Sequence, residues 1–72
     1  MILEKIIHQG SKTLKNNNIE TYQLDAQIIL SEIMGVNKEF LITNNEILIS
    51  EDIIKKYNSA ITRRIKREPI AY

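Results

Sequence analysis

With 72 residues and no Cys, the chain has room for one small domain and excludes disulfides, thiolate catalysis and Cys-based zinc sites. A hydrophobic fraction of 43% against 26% charged residues is that of a folded globular chain, and a single His excludes a His-rich metal cluster. The net charge of +1 hides an asymmetry: residues 1–50 carry four basic and six acidic side chains, residues 51–72 six basic and three acidic.

Ile (15), Asn (7) and Lys (7) are abundant, a skew that follows A/T-rich codons, so Lys content alone is weak evidence for a basic function. No apolar run is long enough to cross a bilayer, and the N-terminus lacks the charged start and apolar core of a signal peptide. The expected location is the cytoplasm, with no membrane partner.

In chain order, the first segment runs from Ile2 to about Lys15. Leu3, Ile6, Ile7, Gly10 and Leu14 recur at the spacing of one helical face. Asn16, Asn17 and Asn18 follow, and Asn tolerates the left-handed conformation that ends helices. A second helix is predicted from an N-cap at Thr21 to Met34, with Gly35 as its stop. Its apolar residues cover more than one face, which marks it as the central helix. Asn37 caps a short third helix that turns Phe40 and Leu41 inward.

Ile47, Leu48 and Ile49 suggest a strand, but three residues without a partner do not make one. Ser50 is instead an N-cap, Glu51 and Asp52 suit the positive helix end, and Ile49 can staple onto Ile54. The helix that follows is predicted to reach about Arg67, where Pro69 stops it. Ile54, Tyr57, Ile61 and Ile65 form its apolar stripe. Ile29, Leu30 and Ile33 of the central helix are expected to be buried against Ile54, Tyr57 and Ile61. The expected fold class is an all-α bundle of four to five helices.

Groups that carry chemistry are nearly absent. His8 falls on the Glu4, Ser11, Lys12 and Lys15 side of the first helix, which faces solvent. Neither a Gly-rich phosphate loop nor a dinucleotide fingerprint occurs. No residue is assigned to catalysis, to a cofactor or to a metal. Arg63, Arg64, Lys66 and Arg67 form the one charged cluster. At a helix C-terminus such cations complement the macrodipole; they also suit an acidic protein surface or RNA phosphates. No aromatic residue interleaves with them, which disfavours base stacking. A helix-turn-helix reading fails because residues 37–43 are too few and offer Phe40, Leu41 and Ile42 where base-reading side chains belong.

The tail Arg67-Glu68-Pro69-Ile70-Ala71-Tyr72 resembles the segment that closes the N-terminal domain of the release-factor glutamine N5-methyltransferases, where a G/R-E-P-x-A-Y/H-I pattern recurs. Asp25-Ala26-Gln27-Ile28-Ile29-Leu30 followed by Ile33-Met34-Gly35 is similar to that family's D-A-x-x-L-L … G stretch. Phe40-Leu41 and Ile49-Ser50 match its next landmarks in order and spacing. The match covers about residues 21–72. The resemblance implies a helical substrate-recognition domain over residues 1–67. The start of an interdomain linker follows over residues 68–72, with Glu68, Pro69, Ala71 and Tyr72 as its motif.

It further implies a parent enzyme with a separate Rossmann-like domain. That domain uses S-adenosylmethionine to methylate the glutamine of the Gly-Gly-Gln motif in peptide-chain release factors. Its Gly-rich cofactor motif and its Asn-Pro-Pro-Tyr motif do not occur in this chain, which is expected to be a non-catalytic, monomeric domain of a longer protein. The implied partner is the release factor, gripped by a surface that includes Arg63, Arg64, Lys66 and Arg67. Two other readings stay open. One is an RNA-facing module of a bifunctional protein and tRNA (guanine-N7) methyltransferase, near tRNA or ribosomal RNA. The other is a plain helical interaction domain.

Overall fold

The computed structural model describes residues 1–66, so Arg67 and the linker motif Glu68, Pro69, Ala71 and Tyr72 lie outside the described residues. Four helices occur among them: α1 (Leu3–Asn16), α2 (Tyr22–Met34), α3 (Lys38–Thr43) and α4 (Glu51–Ile65). The all-α expectation is met. Helix α2 packs against α1, α3 and α4, as its broad apolar surface requires.

Local chemistry sets most of the boundaries. Asn18, at φ 64°, and Gly35, at φ 68°, take the left-handed conformation that turns the chain after α1 and at the end of α2. The Asn37 side chain accepts from the Phe40 amide at 2.9 Å, and the Ser50 hydroxyl accepts from the Ile53 amide at 3.4 Å. Each satisfies an amide that the first turn leaves free. Thr21 stands at the N-cap position of α2 but does not cap it. Its ψ of 31° is far from the extended geometry a capping side chain needs, and its hydroxyl donates to Asp25 Oδ2 instead. The described part of α4 ends at Ile65, with Lys66 as its C-cap.

The segment after α3 does have a partner, contrary to the sequence expectation. Ile2 and Leu48 form an isolated antiparallel bridge. The Leu3 amide donates to the Ile47 carbonyl at 2.9 Å, the Glu4 amide to the Asn45 carbonyl at 2.9 Å, and the Ile49 amide to the Met1 carbonyl at 3.1 Å. A single bridge is not a sheet, so the strand is still absent here. Its pairing partner could not be seen in the sequence because it lies more than forty residues away.

Leu3, Ile6 and Leu14 of α1 meet Ala26, Ile29 and Leu30 of α2, Leu41 of α3, and Tyr57 and Ile61 of α4, with Ile19 and Ile49 closing the core from the loops. Tyr57 has no exposed surface, and its hydroxyl donates to the Ala26 carbonyl at 3.1 Å. Burial pushes the Tyr57 phenol well above the usual tyrosine range, since the charged form would lose its water. Its ring occupies the space where Gly10 has no side chain: a Cβ there would lie 2.8 Å from Tyr57 Cε2 and Cζ. Across the α1–α2 contact, Lys15 Nζ stands 5.6 Å from the centre of the Tyr22 ring. Ile33 departs from expectation and is only half-buried, as is Ile54.

Candidate partner-binding surface

Of the basic cluster at the end of α4, Arg63, Arg64 and Lys66 are described, and Arg63 and Arg64 have different partners. Successive residues of a helix point about 100° apart, and Arg63 and Arg64 meet different surroundings. Arg64 follows Ile61 by three positions and Tyr57 by seven, which puts it on the apolar stripe. There its Nε donates to Asp25 Oδ2 at 2.9 Å, with side-chain exposures of 22% for Arg64 and 7% for Asp25. The same carboxylate oxygen accepts from the Thr21 hydroxyl at 2.9 Å. This is the one ion pair among the described residues, and it ties the last turn of α4 to the first turn of α2. No described buried side-chain polar atom is left without a hydrogen-bond partner.

Arg63 and Lys66 are exposed. Arg63 lines an open groove of about 410 Å³ between α2 and α4, together with Lys55, Lys56, Ser59, Ala60 and Ile33. Lys55, Ser59 and Arg63 recur every four residues and so share one face of α4. The run Arg63, Arg64, Lys66 and Arg67 leaves out Lys55 and Lys56, which line the same groove as Arg63. None of Lys55, Lys56 and Arg63 is ion-paired to another described residue.

A second groove, of about 320 Å³ between α1 and α2, is lined by Glu4, Ile7, His8, Ser11, Gln23 and Gln27. His8 is exposed there, in line with its predicted solvent-facing side. No described group of three His, Asp or Glu side chains could hold a metal ion. Among the described residues, no helix is long and apolar enough to cross a membrane.

A family model of the PrmC N-terminal domain matches residues 5–72. The chain belongs to the PrmC N-terminal domain family. It is 38% identical over 72 residues to the release factor glutamine methyltransferase of Clostridium acetobutylicum, covering all of this chain and 25% of that protein. It is 35% identical over 72 residues to the release factor glutamine methyltransferase of Clostridium botulinum, again covering all of this chain and 25% of the relative. A protein named bifunctional methyltransferase in Rickettsia bellii is 30% identical over 70 residues, 97% of this chain and 13% of its own length. The chain thus spans about a quarter of the release factor methyltransferases it matches. No solved structure matches it. As a PrmC N-terminal domain the chain is a small helical unit of a methyltransferase family, and the core residues Asp25, Ala26, Ile29 and Leu30 of α2 fall within the matched span.

Proposed function

We propose that this domain grips the release factor for a protein-glutamine methyltransferase whose chemistry resides elsewhere in the parent protein. The observation that carries the proposal is the match of the whole chain to a quarter of proteins named release factor glutamine methyltransferase. A Gly-Gly-Gln loop is small, so much of the selectivity for it must come from contacts elsewhere on the substrate. Remote contacts of that kind hold and orient the reacting group.

S-adenosylmethionine is the methyl donor implied for the parent enzyme, and the described residues do not fit it. The space beside Gly10 is filled by Tyr57, and Gly35 serves the left-handed end of α2, so neither glycine opens a cradle for a nucleoside or its ribose. The cofactor is accordingly assigned to the rest of the parent protein.

The test is kinetic. Removing residues 1–66 from the full-length enzyme should reduce kcat/KM for intact release factor far more than for a short Gly-Gly-Gln peptide. Equal losses on both substrates would overturn substrate recognition and leave a structural role. A second reading, an RNA-facing module, comes from the resemblance noted in the sequence, beside which stand relatives named bifunctional methyltransferase in Rickettsia. Retained selectivity for the release factor, with lost tRNA methylation, would favour it.

A further inference from the structure

We infer that the groove between α2 and α4 takes a short acidic segment of the protein substrate, seated with one apolar side chain on Ile33 and Ala60. The inference rests on the release-factor reading above and names the surface that does the gripping. Its rim carries the cations Lys55, Lys56 and Arg63 and its floor is Ile33 and Ala60, both half-buried.

None of the rim charges is paired with a described residue, although Glu51 and Asp52 stand one turn before Lys55 and Lys56. Those two carboxylates sit in the first turn of α4, where the positive helix end holds them. Arg64 is drawn onto Asp25, whereas Lys55, Lys56 and Arg63 all line the groove. From Lys55 to Arg63 the helix rises by about 12 Å at 1.5 Å per residue. That is the reach of roughly four residues of extended chain. Carboxylates at the two ends and an apolar side chain between them would satisfy both rim and floor.

A protein occupant fits better than RNA. No described aromatic side chain lines the groove to stack a base, and the apolar floor offers nothing to phosphate or ribose. Ile33 explains itself in the same terms. It is the central-helix residue that sequence periodicity assigns to the core, and its partial exposure is what gives the groove an apolar base.

The experiment is a titration of the 15N-labelled 72-residue chain with intact release factor, followed by amide line broadening. Broadening is expected first at Ile33, Lys55, Lys56, Ser59, Ala60 and Arg63. The variant Lys55→Glu, Lys56→Glu, Arg63→Glu should bind at least about tenfold more weakly, with the remaining affinity less sensitive to salt. The control Lys5→Glu, Lys12→Glu on α1 should stay within about twofold, as charges outside an interface do. Circular dichroism checks that both variants fold, and the broadening map of the unmutated chain needs neither. Broadening centred on α1, with the triple variant unimpaired, would overturn the groove while leaving release-factor recognition standing. No broadening with release factor, but groove broadening with poly(U), would overturn the acidic occupant and the release-factor reading together. Silence with both titrants would remove the release-factor reading and this proposal with it.

Discussion

Tyr57 and Gly10 act as a pair, and their chemistry makes two measurable claims. Tyr57→Phe removes the hydrogen bond to the Ala26 carbonyl and should cost about 0.5–1.5 kcal/mol in denaturant melts. Gly10→Ala gains about 1 kcal/mol of helix propensity. It also forces a methyl into the Tyr57 ring, an overpacking that costs about 1–3 kcal/mol, so the net change should be a loss. The loss should shrink only in part in the Tyr57→Phe background, because Cε2 and Cζ remain 2.8 Å from the new carbon. Alkaline titration gives an independent check. The folded phenol keeps its proton above the pH, about 10, at which the unfolded one releases it. The unfolded state then binds fewer protons, so this contribution to stability is constant below pH about 10 and declines above it. Tyr57→Phe should lack that part of the decline.

Asp25 and Arg64 should respond unequally to truncation. Arg64→Ala leaves a carboxylate with 7% side-chain exposure holding only the Thr21 hydroxyl. Asp25→Ala frees a guanidinium that is 22% exposed and can turn to water. Leaving a buried polar group short of partners costs about 1–3 kcal/mol, so Arg64→Ala should be the more destabilising of the two in urea melts. The opposite order would show that Asp25 is hydrated when alone.

At the scale of the elements, the caps were legible because a cap is local. Asn37, Ser50 and Gly35 each act within four residues of their own position, and their residue types announce the geometry. Ser50→Ala and Asn37→Ala should each cost about 0.5–2 kcal/mol, with Ser50 towards the lower end because its bond is longer. Thr21 was legible as a boundary but not as a donor to Asp25, since its hydroxyl is directed by ψ and by a neighbour one turn on. The basic residues were legible as charges but not in their surroundings. Arg63 and Arg64 are adjacent in the chain, yet Arg63 lines the groove while Arg64 pairs with Asp25. The exposure of Ile33 could not be read at all, because it depends on where α4 crosses α2. Leu30→Ala, at a fully buried site, should cost about 2–5 kcal/mol, and Ile33→Ala clearly less. Equal costs for the two would contradict the half-buried position of Ile33.

For the molecule as a whole, size sets the tolerance. At about 0.05–0.15 kcal/mol per residue, a domain of this length holds roughly 4–11 kcal/mol in total, so Leu30→Ala removes a large share of it. The long-range ties are therefore worth following beyond their static geometry. The start of α1 has no side-chain cap; its Leu3 and Glu4 amides are satisfied by the carbonyls of Ile47 and Asn45. On a translating ribosome those acceptors arrive about 2–10 s after the donors, at roughly 5–20 residues per second. Until then the first turn of α1 borrows its hydrogen bonds from water, and Leu3, with no exposed surface in the finished fold, waits uncovered. In pulse-labelled hydrogen exchange during refolding, the Leu3 and Glu4 amides should gain protection after the middle of α1 and together with the segment around Ile47 and Ile49.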